Sequence, residues 1–260
     1  MRAVEVAAEV LSVPAAALSA ERIKGGLTNE SWYVHSASEA VVVRISTADE
    51  QALQLNRASE AIVLQVAQQA DIGAEVLLCA PQRRLLVTRK LVAETLTLGA
   101  LHQPVAMTAL ASLLRRLHAL PVPDAVQRID LTQVLQGYWH TLDARGPVID
   151  VDARVQALHI AEESARVANL CLCHNDIHHL NLLSNGQRLW LLDWEYAGIG
   201  DPFFDLASVC CYHGYDVKLR SQLLSTYLEH GGPTDFSRLQ RMCWLFDYIK
   251  NLWLTVRQLD

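Results

Sequence analysis

Hydrophobic and polar positions divide the chain into a strand-rich first third and a mainly helical remainder. In the first third, short apolar runs alternate with turn residues, which predicts antiparallel strands at 22–23, 31–35, 40–45, 75–79 and 85–88. A short helical segment precedes them, and one longer helix is predicted over about 49–70. From Pro104 onward, apolar residues recur at helical intervals, so helices account for most of the second part.

One strand-like stretch interrupts the helical part. Apolar residues 170–173 precede a polar loop, and two further runs at 182–184 and 188–192 flank Asn185-Gly186. This dipeptide is typical of a tight β-hairpin, so polar side chains gather where the strands end. Beyond the hairpin, Asp201 before Pro202 predicts a capped helix, and two more helices follow at about 217–230 and from 235 onward.

Composition narrows the class of protein. Hydrophobic residues make up 51% of the 260 residues, which is enough apolar material for one large domain or two lobes. The formal net charge of -6 disfavours nucleic acid as a partner. Glu5 and Glu9 interrupt the apolar N-terminal stretch, no run is long enough for membrane insertion, and the six scattered cysteines suit a reducing compartment. We therefore expect a cytoplasmic protein of unknown oligomeric state.

The densest group of polar residues spans 174–181 and is followed by Asp193-Trp194-Glu195. Phosphoryl transfer to an alcohol needs a carboxylate that orients the attacking hydroxyl, together with oxygen ligands for Mg²⁺. Asp176 can provide the first, and Asn181 and Asp193 can provide the second. The predicted hairpin brings Asn181 and Asp193 back toward each other, so both can face one metal ion.

These motifs resemble the aminoglycoside phosphotransferase and choline kinase superfamily, whose members are relatives of protein kinases. The similarity is carried by the pattern H-x-D-x(4)-N, a hairpin and D-W-E, and it looks greatest to bacterial choline kinases and thiamine kinases. The resemblance implies an α+β, bilobal protein-kinase-like fold. Residues 1–91 would form a small nucleotide-binding lobe with an antiparallel sheet and one helix. Residues 92–260 would form a larger, mainly helical lobe for catalysis and acceptor binding.

The resemblance also implies roles for single residues in the second lobe. Asp176 is expected to be the catalytic aspartate, and Asn181 and Asp193 are expected to bind Mg²⁺ beside ATP, the phosphoryl donor. His174 would brace the catalytic loop through hydrogen bonds, and Asp205 would support that loop from the next helix. Residue types alone leave the choice between ATP and GTP open.

The first lobe is expected to hold the nucleotide. A glycine-containing loop would cover the phosphates, Arg44 would stand where protein kinases place a lysine, and a hinge would follow the last strand. Glu60 is the expected partner of Arg44, with Glu50 as the alternative. The residues implied by the resemblance are Gly25, Gly26, Thr28, Asn29, Arg44, Glu60, Arg89 and Leu91.

Acceptor binding is assigned to the second lobe. Trp244, Asp247 and Tyr248 share one helical face, and Trp194 and Glu195 could close the same pocket. Aromatic rings beside a carboxylate favour a cation such as a quaternary ammonium or thiazolium group. For the aromatic residues, packing against neighbouring helices is the alternative.

Several interpretations remain open from sequence alone. Glu195 could reach the metal, a cationic substrate or only a hydrogen-bond partner in the lobe, and His178 could position substrate or lie on the surface. A zinc site built from histidines and cysteines is disfavoured, because alternating strand side chains diverge and no second ligand pair follows. Its members would be Cys171, Cys173, His174, His178 and His179.

Choline or ethanolamine, with thiamine close behind, is the acceptor that this pattern favours. The other hypotheses are a sugar or aminoglycoside kinase, a catalytically silent nucleotide-binding scaffold and a zinc-dependent hydrolase.

Overall fold

A computed structural model describes residues 2–23, 29–47, 49–145, 150–229 and 231–258. The helices are α1 (Arg2–Leu11), α2 (Arg57–Gln69), α3 (Pro104–His118), α4 (Leu131–Arg145), α5 (Val151–Ala165), α6 (Pro202–Tyr212), α7 (Val217–Leu228) and α8 (Pro233–Arg257). The strands are β1 (Ser19–Ile23), β2 (Asn29–His35), β3 (Ala40–Ser46), β4 (Val76–Ala80), β5 (Leu85–Arg89), β6 (Glu94–Thr95), β7 (Cys171–Cys173), β8 (Leu182–Ser184), β9 (Leu189–Leu191) and β10 (Gly198–Gly200). The predicted mixed architecture, an antiparallel N-terminal sheet followed by a mainly helical part, is confirmed.

The N-terminal sheet is antiparallel, with strand order β1-β2-β3-β5-β4. On the central strand β3, Val41 and Val43 are fully buried, as expected for alternate residues that face one side of a sheet. Helix α1 covers that side with Val6 and Ala7, and these residues form one apolar cluster. The sheet is therefore held from one face by the short helix that precedes it.

Helix α2 begins at Arg57, later in the chain than the apolar spacing predicts. The side chain of Asp49 accepts backbone hydrogen bonds from Gln51 and Ala52, and Gln54 has a left-handed φ of 57°. Residues 50–54 form turns, and a left-handed residue cannot continue into a right-handed helix, so α2 begins only after Asn56, whose side chain caps it. The predicted start near residue 49 is therefore wrong.

The hairpin predicted around Asn185-Gly186 is confirmed. Strands β8 and β9 pair with Leu182 opposite Leu191, and Gly186 has the positive φ of 86° that such a turn requires. The amide of Leu192 donates to the carbonyl of Asn181 at 2.9 Å. The chain on both sides of the hairpin is therefore adjacent at its open end, where the polar residues lie.

The helices of the C-terminal part enclose the larger apolar cluster, which also takes in Val63 and Ala67 of α2. The predicted cap of α6 is confirmed, since the side chain of Asp201 accepts a hydrogen bond from the amide of Phe203 at 2.9 Å. Within the described ranges, no helix combines the length and apolar character needed to cross a membrane. All six cysteines carry free thiols.

Candidate active site

The polar loop between β7 and β8 is held from beneath by α6. Asp205, in the first turn of α6, has no exposed surface, and its carboxylate accepts the amides of His174 at 2.9 Å and Asn175 at 2.6 Å. The Nε2 of His118 donates to the same carboxylate at 3.0 Å. Because a charged acceptor with several short donors is strongly favoured when buried, this carboxylate fixes the start of the loop.

His174 connects the loop to the hairpin. Its Nε2 donates to the carbonyl of Leu192 at 2.8 Å, and its Nδ1 accepts the amide of Asp176 at 3.3 Å. Both bonds are satisfied by one neutral tautomer, and burial lowers the pKa of His174, which favours that neutral form. His174 thus bridges two backbone segments, the polar loop and the chain that follows β9.

The carboxylate of Asp176 projects from this loop and is held by three side chains. The hydroxyl of Tyr212 donates to Oδ1 at 2.7 Å, the amide of Asn181 donates to Oδ2 at 3.3 Å, and His178 Nε2 lies 3.5 Å from Oδ2. Burial alone would raise the pKa of Asp176, but the contacts with His178 and Tyr212 bring it below its usual value. Asp176 is therefore ionised at neutral pH.

Asn181 and Asp193 occupy the two sides of the open hairpin end. The Asn181 side chain donates its nitrogen to the Asp176 carbonyl at 3.0 Å, which leaves its oxygen as an acceptor. Burial and the nearby charge of Glu195 raise the pKa of Asp193 to about 7, although Arg44 opposes the shift. Glu60 and Asp176 add to the shift, so several carboxylates lie near this point, and the oxygen-only donor set suits Mg²⁺.

Arg44 on β3 reaches this site from the N-terminal sheet. Its Nη1 lies 3.1 Å from Asp193 Oδ1 and its Nη2 lies 2.6 Å from Glu60 Oε1. The structure therefore pairs Arg44 with Glu60, whereas Glu50 lies 3.2 Å from Arg57. This chain of charges links the sheet, α2 and the open end of the hairpin.

Arg57 is a central residue of the site that sequence reasoning missed. It is 8% exposed, and its Nη1 lies 2.9 Å from both Glu60 Oε2 and Glu195 Oε2. Asn29 donates to the same Glu195 oxygen at 2.9 Å. Of the alternatives left open for Glu195, the structure shows hydrogen bonds and an ion pair to the N-terminal part. The i, i+3 spacing of Arg57 and Glu60 was the available local signal, but it does not show the second partner, Glu195.

The remaining residues predicted to bind the nucleotide either lie outside the described residues or lie at and after the end of β5. Gly25, Gly26 and Thr28 lie outside the described residues. Arg89 ends β5, with its guanidinium in ion pairs to Glu39 at 2.7 Å and Glu75 at 2.6 Å. Leu91 lies two residues further on and is half-buried. The ion pairs hold Arg89 to neighbouring parts of the sheet.

Trp194, one of the residues predicted to line the acceptor pocket, is buried in the structure. Trp194 is only 1% exposed, packs its ring 4.8 Å from that of His174 and donates to the Leu191 carbonyl at 3.2 Å. A ring with so little free surface cannot line an acceptor pocket, so the structure does not support that expectation for Trp194.

Trp244 and Tyr248 stack on each other at 5.4 Å, and Trp139 on α4 donates to the Tyr248 hydroxyl at 3.1 Å. Asp247 lies instead next to Lys250, 2.5 Å away, and the Lys250 ammonium lies 5.5 Å from the ring centre of Tyr212. Of the three residues predicted on this face of α8, Asp247 is thus the one tied through Lys250 to the ring that contacts Asp176.

Among the described residues, the two cysteines of the zinc hypothesis lie near His118 rather than grouped with the histidines expected from sequence. The expectation that these strand side chains diverge is wrong for Cys171 and Cys173, which point to the same side of β7 with their sulfurs 3.9 Å apart. Both ring nitrogens of His118 are already hydrogen-bonded, to Tyr227 and Asp205. With Nε2 donating to Asp205, the Nδ1 lone pair accepts the Tyr227 hydroxyl, so a metal ion could bind His118 only by displacing that hydrogen bond, which disfavours zinc here.

Comparison with known proteins agrees with this arrangement. Residues 19–242 match the model of a family described as the phosphotransferase enzyme family. The chain is 26% identical to protein LicA of Haemophilus influenzae over 90% of its own length and 72% of that protein. Over a shorter segment, it is 39% identical to a thiamine kinase of Escherichia coli, covering 38% of this chain and 35% of that one.

Two solved structures share the fold. A choline/ethanolamine kinase family protein from Mesorhizobium loti superposes with a TM-score of 0.76 at 25% identity, over 98% of this chain and 85% of that one. Choline kinase LicA from Streptococcus pneumoniae gives a TM-score of 0.80 at 20% identity, over 98% and 90%. The family match spans most of the chain, and the resemblance inferred from the motifs is confirmed: the protein belongs to the phosphotransferase enzyme family.

Proposed function

We propose that the protein transfers the γ-phosphoryl group of ATP to a hydroxyl group of a small cationic metabolite, of the choline, ethanolamine or thiamine type. The observation that carries this proposal is the convergence of three side chains at the open end of one hairpin. The Asn181 side chain donates to Asp176 at 3.3 Å, and the amide of Leu192, the residue before Asp193, donates to the Asn181 carbonyl at 2.9 Å. Arg44 reaches Asp193 from the sheet at 3.1 Å.

Asp176 is proposed to orient the acceptor hydroxyl and to accept its proton. The hydroxyl oxygen attacks the γ-phosphorus while the bond from phosphorus to the bridging oxygen of ADP breaks, and the proton passes to the Asp176 carboxylate. The Tyr212 and Asn181 contacts hold that carboxylate in one orientation. Positioning therefore accounts for much of the expected rate.

Asn181 and Asp193 would hold Mg²⁺, which supplies positive charge beside the nucleotide phosphates. The carboxylates of Glu195, Glu60 and Asp176 lie near enough to Asp193 to act on its charge, and a divalent cation would offset their combined negative charge. Arg44, oriented by Glu60, is proposed to steady the phosphates from the other side. With this division, residues 1–91 would bind the nucleotide, and residues 92–260 would bind the acceptor and carry the catalytic loop.

The acceptor class rests on two kinds of support. The relatives include a thiamine kinase from Escherichia coli and a choline/ethanolamine kinase family protein from Mesorhizobium loti. Next to Asp176, the chain places the ring of Tyr212 and the carboxylate of Asp247 within reach of one ammonium group. Such an environment suits a cation. The free thiols agree with an ATP-dependent reaction in the cytoplasm.

A panel of acceptors tests the proposal. Purified protein with Mg²⁺ and ATP is incubated with choline, ethanolamine, thiamine, a neutral sugar and an aminoglycoside, and ADP release and phosphorylated product are measured. We expect acceptor-dependent ADP release with one of the first three. Turnover only with the sugar or the aminoglycoside would favour the alternative kinase class. A parallel series with GTP identifies the donor.

A catalytically silent scaffold is the alternative from another class. It predicts that Mg²⁺ and ATP raise the melting temperature while no acceptor produces ADP or phosphorylated product. Stabilisation together with acceptor-dependent turnover supports an enzyme instead.

A further inference from the structure

Lys250, on α8, holds a position that the sequence gave no reason to expect. Its ammonium lies 2.5 Å from Asp247 Oδ1, 5.5 Å from the ring centre of Tyr212 and 5.9 Å from that of Phe246. The hydroxyl of the same Tyr212 donates to Asp176 at 2.7 Å. The lysine charge is thus separated from the proposed catalytic carboxylate by a single aromatic ring.

These contacts are the ones that a cationic acceptor needs. A quaternary ammonium or thiazolium group is held by aromatic faces and a nearby carboxylate, and Lys250 engages two rings and the carboxylate of Asp247. The Lys250 side chain is 26% exposed and the Asp247 side chain is 48% exposed. The ammonium can therefore move into water on its flexible stem, where a primary ammonium is strongly hydrated.

We propose that Lys250 is a specificity-determining residue, whose ammonium occupies the cation position of the acceptor pocket until a cationic acceptor displaces it and takes over Asp247. This inference rests on the proposed function. An occupant that must leave reduces the fraction of protein ready to bind, so the apparent affinity for cations falls by that fraction. Removal of the Lys250 charge leaves the Asp247 carboxylate without this cation, which favours a cationic acceptor, whereas an uncharged acceptor cannot use the carboxylate and gains little.

The experiment compares binding of choline and of its uncharged isostere dimethylbutanol by calorimetry, in the presence of Mg²⁺ and ADP. Lys250→Met keeps the length and apolar cover of the side chain but removes its charge. We expect the Kd for choline to fall about three- to tenfold, the scale of one cation–aromatic contact, with little change for the isostere. Lys218→Met, which removes an exposed lysine on α7, is the matched control and should leave both Kd values unchanged.

A double-mutant cycle with Asp247→Asn separates displacement from a general packing effect. Asp247→Asn should weaken choline binding, and Lys250→Met should bring a smaller gain in that background because the released carboxylate is absent. An equal gain in both backgrounds, an equal gain for the isostere or the same gain from Lys218→Met would overturn the proposal. So would unchanged or weaker choline binding by Lys250→Met.

Turnover, measured separately as ADP release from ATP, distinguishes this inference from the proposed function. The expected shift in Kd without choline or thiamine phosphorylation would contradict the proposed function and leave the displacement standing. Normal turnover with Kd and KM unaffected by Lys250→Met would contradict the displacement alone. If neither the wild-type protein nor the variant binds choline or thiamine, both proposals fail.

Discussion

The proposed catalytic loop and the proposed acceptor-binding face of α8 are built in different ways. Around the loop, buried side chains hold backbone groups: Asp205 receives two amides, and His174 bridges an amide and a carbonyl. On α8, partly exposed side chains hold each other, as in the ion pair of Asp247 and Lys250. Hydrogen bonds from buried side chains to the backbone fix the conformation of the loop. An ion pair between two side chains of one helix can break and form with a new partner while the backbone stays in place. We infer that the loop that carries Asp176 is rigid, whereas the side chains of α8 that would contact the acceptor can rearrange.

The largest effect is expected from a substitution of Asp176, the proposed catalytic residue in the rigid loop. Asp176→Asn keeps the shape of the side chain but removes the charge that is proposed to orient the hydroxyl and take its proton. We therefore expect kcat to fall by about 10²- to 10⁴-fold while nucleotide affinity is retained. Steady-state ADP release and nucleotide titration measure the two quantities. Asp124→Asn, an exposed site, is the control. Unchanged turnover would remove Asp176 from the mechanism.

The next largest effect, on the free energy of unfolding, is expected from a substitution of Arg57, whose buried charge pairs with Glu60 and Glu195. Arg57→Met leaves Glu60 and Glu195 without one of their cations, and breaking a buried ion pair in this way costs about 3–5 kcal/mol of unfolding free energy. Urea denaturation measures the loss. Arg22→Met removes an exposed ion pair with Glu30 and should change stability by less than about 1 kcal/mol. Equal effects of the two variants would show that the Arg57 network contributes no more than a surface pair.

A smaller effect is expected at the support of the loop. Asp205→Asn replaces one acceptor oxygen by a donor that faces a backbone amide, so the unfolding free energy should fall by about 2–4 kcal/mol, with reduced kcat. Thermal denaturation and turnover are measured together. The same substitution at Asp216 on the exposed cap of α7 should be nearly neutral, since Asn also caps helices. Retained stability and turnover in Asp205→Asn would argue against backbone anchoring as the source of rigidity.

The smallest effect lies where the two regions meet. Tyr212→Phe keeps the ring under Lys250 but removes a hydrogen bond that favours ionised Asp176, so the pKa of Asp176 should rise. Activity is lost when this carboxylate is protonated, and the acidic fall in kcat/KM should therefore move to higher pH, by up to about one unit. A pH–rate profile over the range where the protein stays folded checks this. A shift to lower pH would contradict the assigned role of the hydroxyl.

Local signals predicted much of the fold and part of the site. Asn185-Gly186 was enough to place the hairpin, and the hairpin brings Asn181 near Asp193 whatever the rest of the chain does. Contacts between distant segments could not be predicted in the same way. Arg57 pairs with Glu195, which lies 138 residues away in sequence. A local sequence pattern cannot show such a partner, so the buried position of Arg57 was not predicted.

Other residues were missed because their type has a common structural use. A tyrosine on an apolar helix such as α6 is usually a packing residue, so nothing in the local pattern marked Tyr212 as a partner of Asp176. A lysine near the end of a long helix is usually solvated, and Lys250 gave no signal for the same reason.

A crystal structure with Mg²⁺, a non-hydrolysable ATP analogue and choline or thiamine tests the central claim most directly. We predict that the acceptor hydroxyl lies within about 3.2 Å of the Asp176 carboxylate, with the γ-phosphoryl group beside it and the side-chain oxygens of Asn181 and Asp193 on the metal. A nucleotide or acceptor bound away from the open end of the hairpin, or an acceptor hydroxyl far from Asp176, would contradict it.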